Sequence, residues 1–413
     1  MHYASAMRII HLTPGTGNFY CGSCLRDNAL VKALRQRGHD VLMVPLYLPV
    51  VTDEPAASEG VPIFLGGLNV YLEQKFPFFR GARWLNSPRL LRAVAKLNHL
   101  TRAKDVGELA LSMLRGESRE LDKLIAWLKT QPAPDVICLS NSLLAGLARR
   151  LRAEFGVPIV SSLQGEDSFL DALVEPYRQQ AWQLLRERCA DITRFVAPSR
   201  YYADQMAARL GLKSVTVVPN GIVLDGYEPA VPTTPTIGYL TRMHPSKGLD
   251  TLVDAFCKIQ GRVENVRLIV AGAQTASDAV FVRALQRRAG PAAEFHPNPD
   301  RAVKLELLRR MSVFSVPAMY GEAFGLYVLE ALATGVPVVQ PRHGSFPELI
   351  EATGGGVLYE PGQLADALEA LLLDPERARR LGATGRRVVQ EKFSDTAMAR
   401  QFETILREVT HAA

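Results

Sequence analysis

The chain has 413 residues, 47% apolar and 22% charged, an ordinary globular composition too long for a single core. Its net charge is +6, and no run of about 18 apolar residues is present, so a transmembrane helix is not expected. "MHYASAMRII" lacks the apolar core of a secretory leader, and five cysteines fit a reducing cytosol rather than a disulfide scaffold.

Short β-branched runs alternate with helical patterns along the first half. "RIIHLTP", "DVLMVPLYL", "DVICLSN", "PIVSSLQG", "FVAPSR" and "SVTVVPNGI" predict strands, with helices such as "NALVKALRQRG" and "SLLAGLARRLRAEFG" between them. That alternation predicts βαβ units and a parallel sheet covered on both faces. The Pro- and Thr-rich "VLDGYEPAVPTTP" then reads as an interdomain linker.

Beyond it the alternation restarts with strands in "TIGYLTR", "VRLIVAGA", "EFHP", "VFSVPA" and "VPVVQP". Helices are expected in "KGLDTLVDAFCKI", "RAVKLELLRRM" and "GLYVLEALATG", and a last amphipathic helix in "SDTAMARQFETILREV". The reading is α/β, with two doubly wound Rossmann-like domains over 1–225 and 226–394, facing a central cleft. The helix in 395–413 is expected to pack back toward the first domain.

Between Lys75 and Lys104 there is no Asp or Glu, while Arg80, Arg83, Arg89, Arg92, Lys96 and Arg102 interleave with leucines. Such a segment either packs its leucines inward with a solvated basic face, or lies on an anionic membrane as a peripheral contact. No nucleic-acid-reading module accompanies the charge, so nucleic acid is not an expected partner.

The stretch richest in chemistry is "YGEAFGLYVLEALATGVPVV", residues 320–339. Glu322 falls in a loop after a strand, and a helix starts near Phe324 or Gly325. Free N–H groups there would receive an anion, and Gly325 would let a phosphate approach the backbone. Glu330 lies inside the helix, where a carboxylate can accept from two neighbouring hydroxyls of a ribose. In "GYLTRMHPSKGLD", Arg242 and Lys247 follow a strand at a helix start, two cations suited to a diphosphate. No Asp or His cluster suggests a divalent metal, so this pair would do a metal's work and no cofactor is expected.

These stretches resemble the retaining glycosyltransferases of family four, which have the GT-B fold. "GEAFGLYVLEALATGVPVV" matches that family's E-x7-E signature, with Glu322 and Glu330 as its glutamates. The resemblance implies that Glu330 holds the nucleotide ribose, Glu322 contacts the donor sugar, and Arg242 and Lys247 hold the diphosphate. "VTVVPNGIVLDGYEP", "VAPSR" and "RGHDV" also match, so the likeness spans nearly the whole chain. It implies a hexosyltransferase using a UDP-, GDP- or ADP-sugar, with Glu322, Arg242 and Lys247 as catalytic residues. The nucleotide sugar would also touch Phe324, Gly325 and Leu326, and the acceptor is not named by any motif.

In this family the loop after the first strand is glycine-rich and faces donor and acceptor. Here it is "TPGTGNFYCGSCLRDN", where Gly15 and Gly17 take that place for the donor. Cys21 and Cys24 then fall at the cleft-facing start of the first helix. Three readings stay open for them: small residues at a close approach, a redox-sensitive thiol pair, or half of a metal site whose other half Cys138, Cys189 and Cys257 do not supply. In "SSLQGEDSFLDAL" the family often has a histidine where Gln164 stands, and Gln164, Glu166 and Asp167 are acceptor-side candidates. Two other activities compete with transfer: a sugar-nucleotide epimerase of the same fold, and a thiol redox protein built on "CGSC".

Overall fold

The computed structural model describes residues 5–15, 22–64, 103–116 and 119–412. Gly17, Cys21 and the basic segment as far as Arg102 lie outside the described residues, as does the side chain of Lys104.

Two compact units make up the chain: Met1–Val218 with Ala399–Ala413, and Pro219–Met398. The division precedes the Pro- and Thr-rich stretch rather than falling inside it, and the cause is local pairing. Ile222 N–H donates to the Phe393 carbonyl at 3.0 Å, and Asp395 N–H to the Ile222 carbonyl at 2.9 Å. This short parallel bridge ties Ile222 to Ser394 and so to the second unit.

The first unit is built on β1 (Arg8–Thr13), β2 (Asp40–Pro45), β3 (Val136–Leu139), β4 (Ile159–Ser162), β5 (Arg194–Ala197) and β6 (Thr216–Val217). They form one parallel sheet in the order β2-β1-β3-β4-β5-β6. The described helices of this unit are α1 (Gly22–Gln36), α2 (Ala103–Arg115), α3 (Arg119–Leu128), α4 (Ala148–Phe155), α5 (Glu166–Asp171), α6 (Tyr177–Arg188) and α7 (Arg200–Leu210). Every residue of β3 and β4 is buried. This is why β3 reads as a continuous apolar run instead of an alternation, while β4 ends on two buried serines.

The second unit carries β7 (Thr236–Leu240), β8 (Arg267–Gly272), β9 (Ala293–Pro297), β10 (Val313–Phe314), β11 (Val338–Pro341) and β12 (Gly356–Tyr359). Their order is β12-β11-β10-β7-β8-β9, again parallel. Its helices are α8 (Leu249–Ile259), α9 (Ala279–Ala289), α10 (Arg301–Arg309), α11 (Leu326–Ala333), α12 (Phe346–Thr353), α13 (Leu364–Leu372) and α14 (Pro375–Lys392), and α15 (Asp395–His411) ends the chain. β12 is a strand that the sequence pattern does not announce. It is an edge strand beginning in the glycine run 354–356, and that run looks like a turn when seen alone.

In the second sheet the strand order reverses between β7 and β10, which are hydrogen-bonded neighbours. Segments leaving the carboxyl ends of two such strands diverge to opposite faces, and the crevice between them receives ligands in open α/β sheets. The first sheet has its own reversal between β1 and β3. No described helix is long and apolar enough to cross a membrane.

Candidate active site in the second unit

Arg242 and Lys247 lie on the segment that leaves β7, and Glu322, Phe324 and Gly325 on the segment that leaves β10. The crossover therefore brings together residues 75 positions apart in sequence. Lys247 ends a short 3₁₀ turn, Pro245–Lys247, and its ammonium forms an ion pair with the Glu322 carboxylate. Met319 N–H donates to the Ser246 carbonyl at 2.9 Å, joining the two segments through their backbones.

Two tyrosines line the Lys247 ammonium, with the Tyr320 ring centroid 4.8 Å away and that of Tyr327 5.9 Å away. Burial by itself would lower the proton affinity of Lys247, but Glu322 and then Tyr320 outweigh it and the pKa is raised. The cation is thus preserved. The Tyr320 hydroxyl is pushed up to about 12 by burial and by the Glu322 charge, so it stays a neutral donor.

Arg242 is half exposed and faces Asp278, with Nη2 to Oδ1 at 3.3 Å. Asp278 also closes a capping box, accepting from Thr275 N–H at 3.0 Å and from Thr275 Oγ1 at 2.6 Å. Burial alone would raise the Asp278 pKa. The Thr275 bonds and Arg242 overcome it and hold the carboxyl ionised.

Gly325 caps α11 in the left-handed region at φ +88, the backbone state that favours glycine. The helix begins at Leu326, one residue after Gly325 and two after Phe324, the two starts the sequence suggests. Its first N–H groups have no helical acceptor, which leaves a positive end for an anion. Phe324 is buried, Leu326 is half-buried, and α11 buries Tyr327, Val328, Leu329, Ala331 and Leu332. Glu330 interrupts that apolar face with its side chain 12% exposed. It accepts from Tyr227 Oη at 2.8 Å and from Lys304 Nζ at 2.7 Å.

In the first unit, Gly15 follows β1 at φ +65, and a Cβ there would come within 1.8 Å of the Leu48 carbonyl oxygen. Its smallness thus serves chain-to-chain approach. Cys24 is buried inside α1, so a redox role at "CGSC" would need α1 to open before that thiol is reached. Cys138 and Cys189 are each pushed up to about 12 by burial, which leaves them as unreactive thiols near neutral pH.

Gln164 is half-buried just beyond the end of β4. Glu166 points inward and collects Ser142 N–H at 2.8 Å, Gln164 N–H at 2.8 Å, Gly165 N–H at 3.1 Å and Tyr202 Oη at 3.0 Å. Its carboxylate ties the loop after β3 to the loop that presents Gln164. Burial raises the Glu166 pKa, and the Ser142 and Gln164 N–H groups and the Tyr202 hydroxyl oppose the shift. Asp167 accepts from Tyr202 Oη at 2.8 Å and from Gln205 Nε2 at 2.6 Å.

Several polar groups carry no sequence signal. Tyr227 and Lys304 reach Glu330 from distant segments, and Arg26 and Asp27 are both buried in the first unit. Arg26 Nη1 donates to Asp27 Oδ1 at 2.9 Å and Nη2 to Ser162 Oγ at 2.9 Å, while His11 Nε2 lies 3.3 Å from Asp27. Burial would raise the Asp27 pKa, but His11 and then Arg26 hold it well below the usual carboxylate range. Only the "RD" of "CGSCLRD" marks them in sequence, and adjacent charges of opposite sign are common on surfaces.

Comparison with known proteins agrees with this arrangement. Residues 228–388 match the model of glycosyl transferases group 1, and residues 27–221 match that of the glycosyl transferase 4-like domain. A GDP-mannose-dependent alpha-(1-6)-phosphatidylinositol monomannoside mannosyltransferase of Mycobacterium tuberculosis is 29% identical over 243 residues, 52% of this chain and 62% of the relative. A D-inositol 3-phosphate glycosyltransferase of Xylanimonas cellulosilytica is 30% identical over 54% of this chain and 53% of its own length. The chain thus spans less than two thirds of these curated relatives. Among solved structures, sucrose-phosphate synthase from Thermosynechococcus elongatus superposes with a TM-score of 0.71 at 19% identity, covering 98% of this chain and 100% of that one. HepE from Anabaena, crystallised with UDP and glucose, gives 0.67 at 16% identity, covering 97% and 100%. With two family models spanning both units in order and the E-x7-E glutamates on the crossover of the second sheet, the chain belongs to the family-four glycosyltransferases and has the GT-B fold.

Proposed function

We propose that the chain moves a hexosyl unit from a nucleoside-diphosphate sugar to an acceptor hydroxyl, with retention of configuration and without a divalent metal. The observation that carries this reading is the convergence of Lys247, Glu322 and the free start of α11 where the second sheet reverses. A diphosphate placed there would meet the Lys247 ammonium, the half-exposed Arg242 and the N–H groups of α11. All three favour the charge that grows on the leaving group.

In the transfer, the bond from the anomeric carbon to the phosphate oxygen breaks and a bond to the acceptor oxygen forms on the same face. The acceptor's proton passes to the departing phosphate oxygen. Glu322 contacts the donor sugar and Glu330 the ribose. Gln164, Glu166 and Asp167 stand on the acceptor side, with Glu166 acting on Gln164 through the backbone it holds. Gly15 belongs to the donor loop after β1, and Cys24, an acceptor-side candidate by its place in sequence, packs inside α1. The donor's base is open among UDP, GDP and ADP; relatives named for GDP-mannose and a neighbour crystallised with UDP-glucose make GDP and UDP the first to try. The acceptor is proposed to be presented at an anionic lipid surface, in the cytosol, through the basic segment 75–104.

Titration calorimetry with UDP, GDP, ADP and their common sugar forms tests the donor site. One nucleotide should bind, and Glu330→Ala should weaken it about tenfold or more, the worth of a hydrogen bond to a charged group. Binding by none of them, together with a redox-active Cys21–Cys24 pair, would return the chain to thiol chemistry.

A further inference from the structure

Glu330 is held by two donors on a single oxygen. The Tyr227 hydroxyl and the Lys304 ammonium both end on the same atom, Oε1, at 2.8 and 2.7 Å. Oε2 takes part in neither bond. The two donors come from separate elements: Tyr227 from the segment ahead of β7, Lys304 from α10. The Lys304 side chain is 3% exposed, while that of Glu330 keeps 12% of its surface. Both donors also pack together, the ammonium lying 5.8 Å from the centroid of the Tyr227 ring. The Arg301 guanidinium lies 5.5 Å from the same centroid.

A buried ammonium is costly unless paired, and Lys304 finds that pairing on Glu330. A free glutamate samples three side-chain torsions, and pinning one oxygen with two donors fixes the direction of the other. That second oxygen is the one with lone pairs left for two hydroxyls.

We propose that Lys304 and Tyr227 are positioning residues that hold Glu330 by Oε1 and present Oε2 to the vicinal diol of the donor's ribose. This rests on the reading of the second unit as a nucleotide-sugar site. It extends that reading to two residues outside the E-x7-E stretch, neither of which touches the ligand.

The test compares a ribonucleoside diphosphate with its 2′,3′-dideoxy counterpart by calorimetry. UDP, GDP and ADP are titrated first to find the base that binds. The matched pair is then titrated into wild type, Lys304→Met, Tyr227→Phe and Lys304→Arg. Wild type should prefer the ribose form by roughly tenfold or more. Lys304→Met should reduce that preference to about twofold while leaving dideoxy affinity nearly unchanged, with Lys304→Arg retaining more of it. Tyr227→Phe, which removes one oxygen only, should fall between wild type and Lys304→Met and decides the matter if Lys304→Met does not fold. An equal loss of affinity for both nucleotides, or an undiminished preference, in the folded variants would overturn the proposal and leave the donor site standing. Failure of wild type to bind any of the three nucleotides would overturn both.

Discussion

Lys247 and Glu322 show how one ion pair can serve a site before any ligand arrives. Each group is largely withdrawn from water, and each makes the other's charge tolerable. A bound diphosphate can share the ammonium without the protein first having to charge it, because the Lys247 proton is held more firmly than in water. Lys247→Met should therefore lower turnover by about 10² to 10³, the usual effect of removing one donor from a developing anion. Steady-state kinetics and thermal unfolding together check this, since the folded variant should lose rate and also melt at a lower temperature, Glu322 being left buried without its cation. Tyr320 follows the same chemistry: a hydroxyl that stays neutral beside the ammonium adds a donor without adding charge.

At the scale of elements, the "RGHDV" stretch acquires a structural task. Arg37 Nε donates to Glu403 Oε2 at 2.6 Å, and His39 Nε2 lies 3.2 Å from Glu403 Oε1. Met7 N–H donates to His39 Nδ1 at 3.1 Å, which sets the ring's orientation. Glu403 sits on α15, beside Phe402, whose ring lies 5.4 Å from the Arg26 guanidinium. The turn between α1 and β2 thus fastens the last helix to the first unit. Burial would raise the Glu403 pKa, but Arg407 and Arg37 outweigh it and lower the value. The folded state therefore binds that proton more weakly than the unfolded one. The contribution is complete above the unfolded value near 4.5 and is lost as pH falls through the lower folded value. Glu403→Ala should cost about 2 kcal/mol at pH 7, a loss that narrows toward pH 3. Thermal unfolding across that range would show it, with nucleotide binding unchanged.

Over the whole molecule there are two parallel sheets, and in the second the candidate site lies where the strand order turns round. Binding of the nucleotide should slow amide exchange in residues 241–250 and 320–330, the segments leaving β7 and β10. Hydrogen exchange with mass spectrometry on the full chain measures this. Protection spread evenly over the second unit, or centred on the opposite ends of its strands, would place the ligand elsewhere. The same crossover explains why residues so far apart in sequence form one site: neighbouring parallel strands end side by side whatever length of chain lies between them.

The local grammar of the chain is legible in its amino-acid order alone. Apolar runs of five or six residues separated by periodic helices pack as covered parallel strands, and "GEAFGLYVLEALATG" carries its glutamates at fixed spacing around one helix start. Those features depend on neighbours within a dozen residues. What the pattern misses depends on partners far along the chain. β12 needs β11 beside it to be a strand, Ile222 needs Ser394 to join the second unit, and Glu166 faces inward because donors from three segments converge on it. The pinning of Glu330 by Tyr227 and Lys304 belongs to the same class. Sequence marked the residues proposed to bind a nucleotide sugar; only tertiary structure decided which oxygen of Glu330 its two donors hold, because a buried carboxylate takes its orientation from whichever donors the fold brings within about 3 Å.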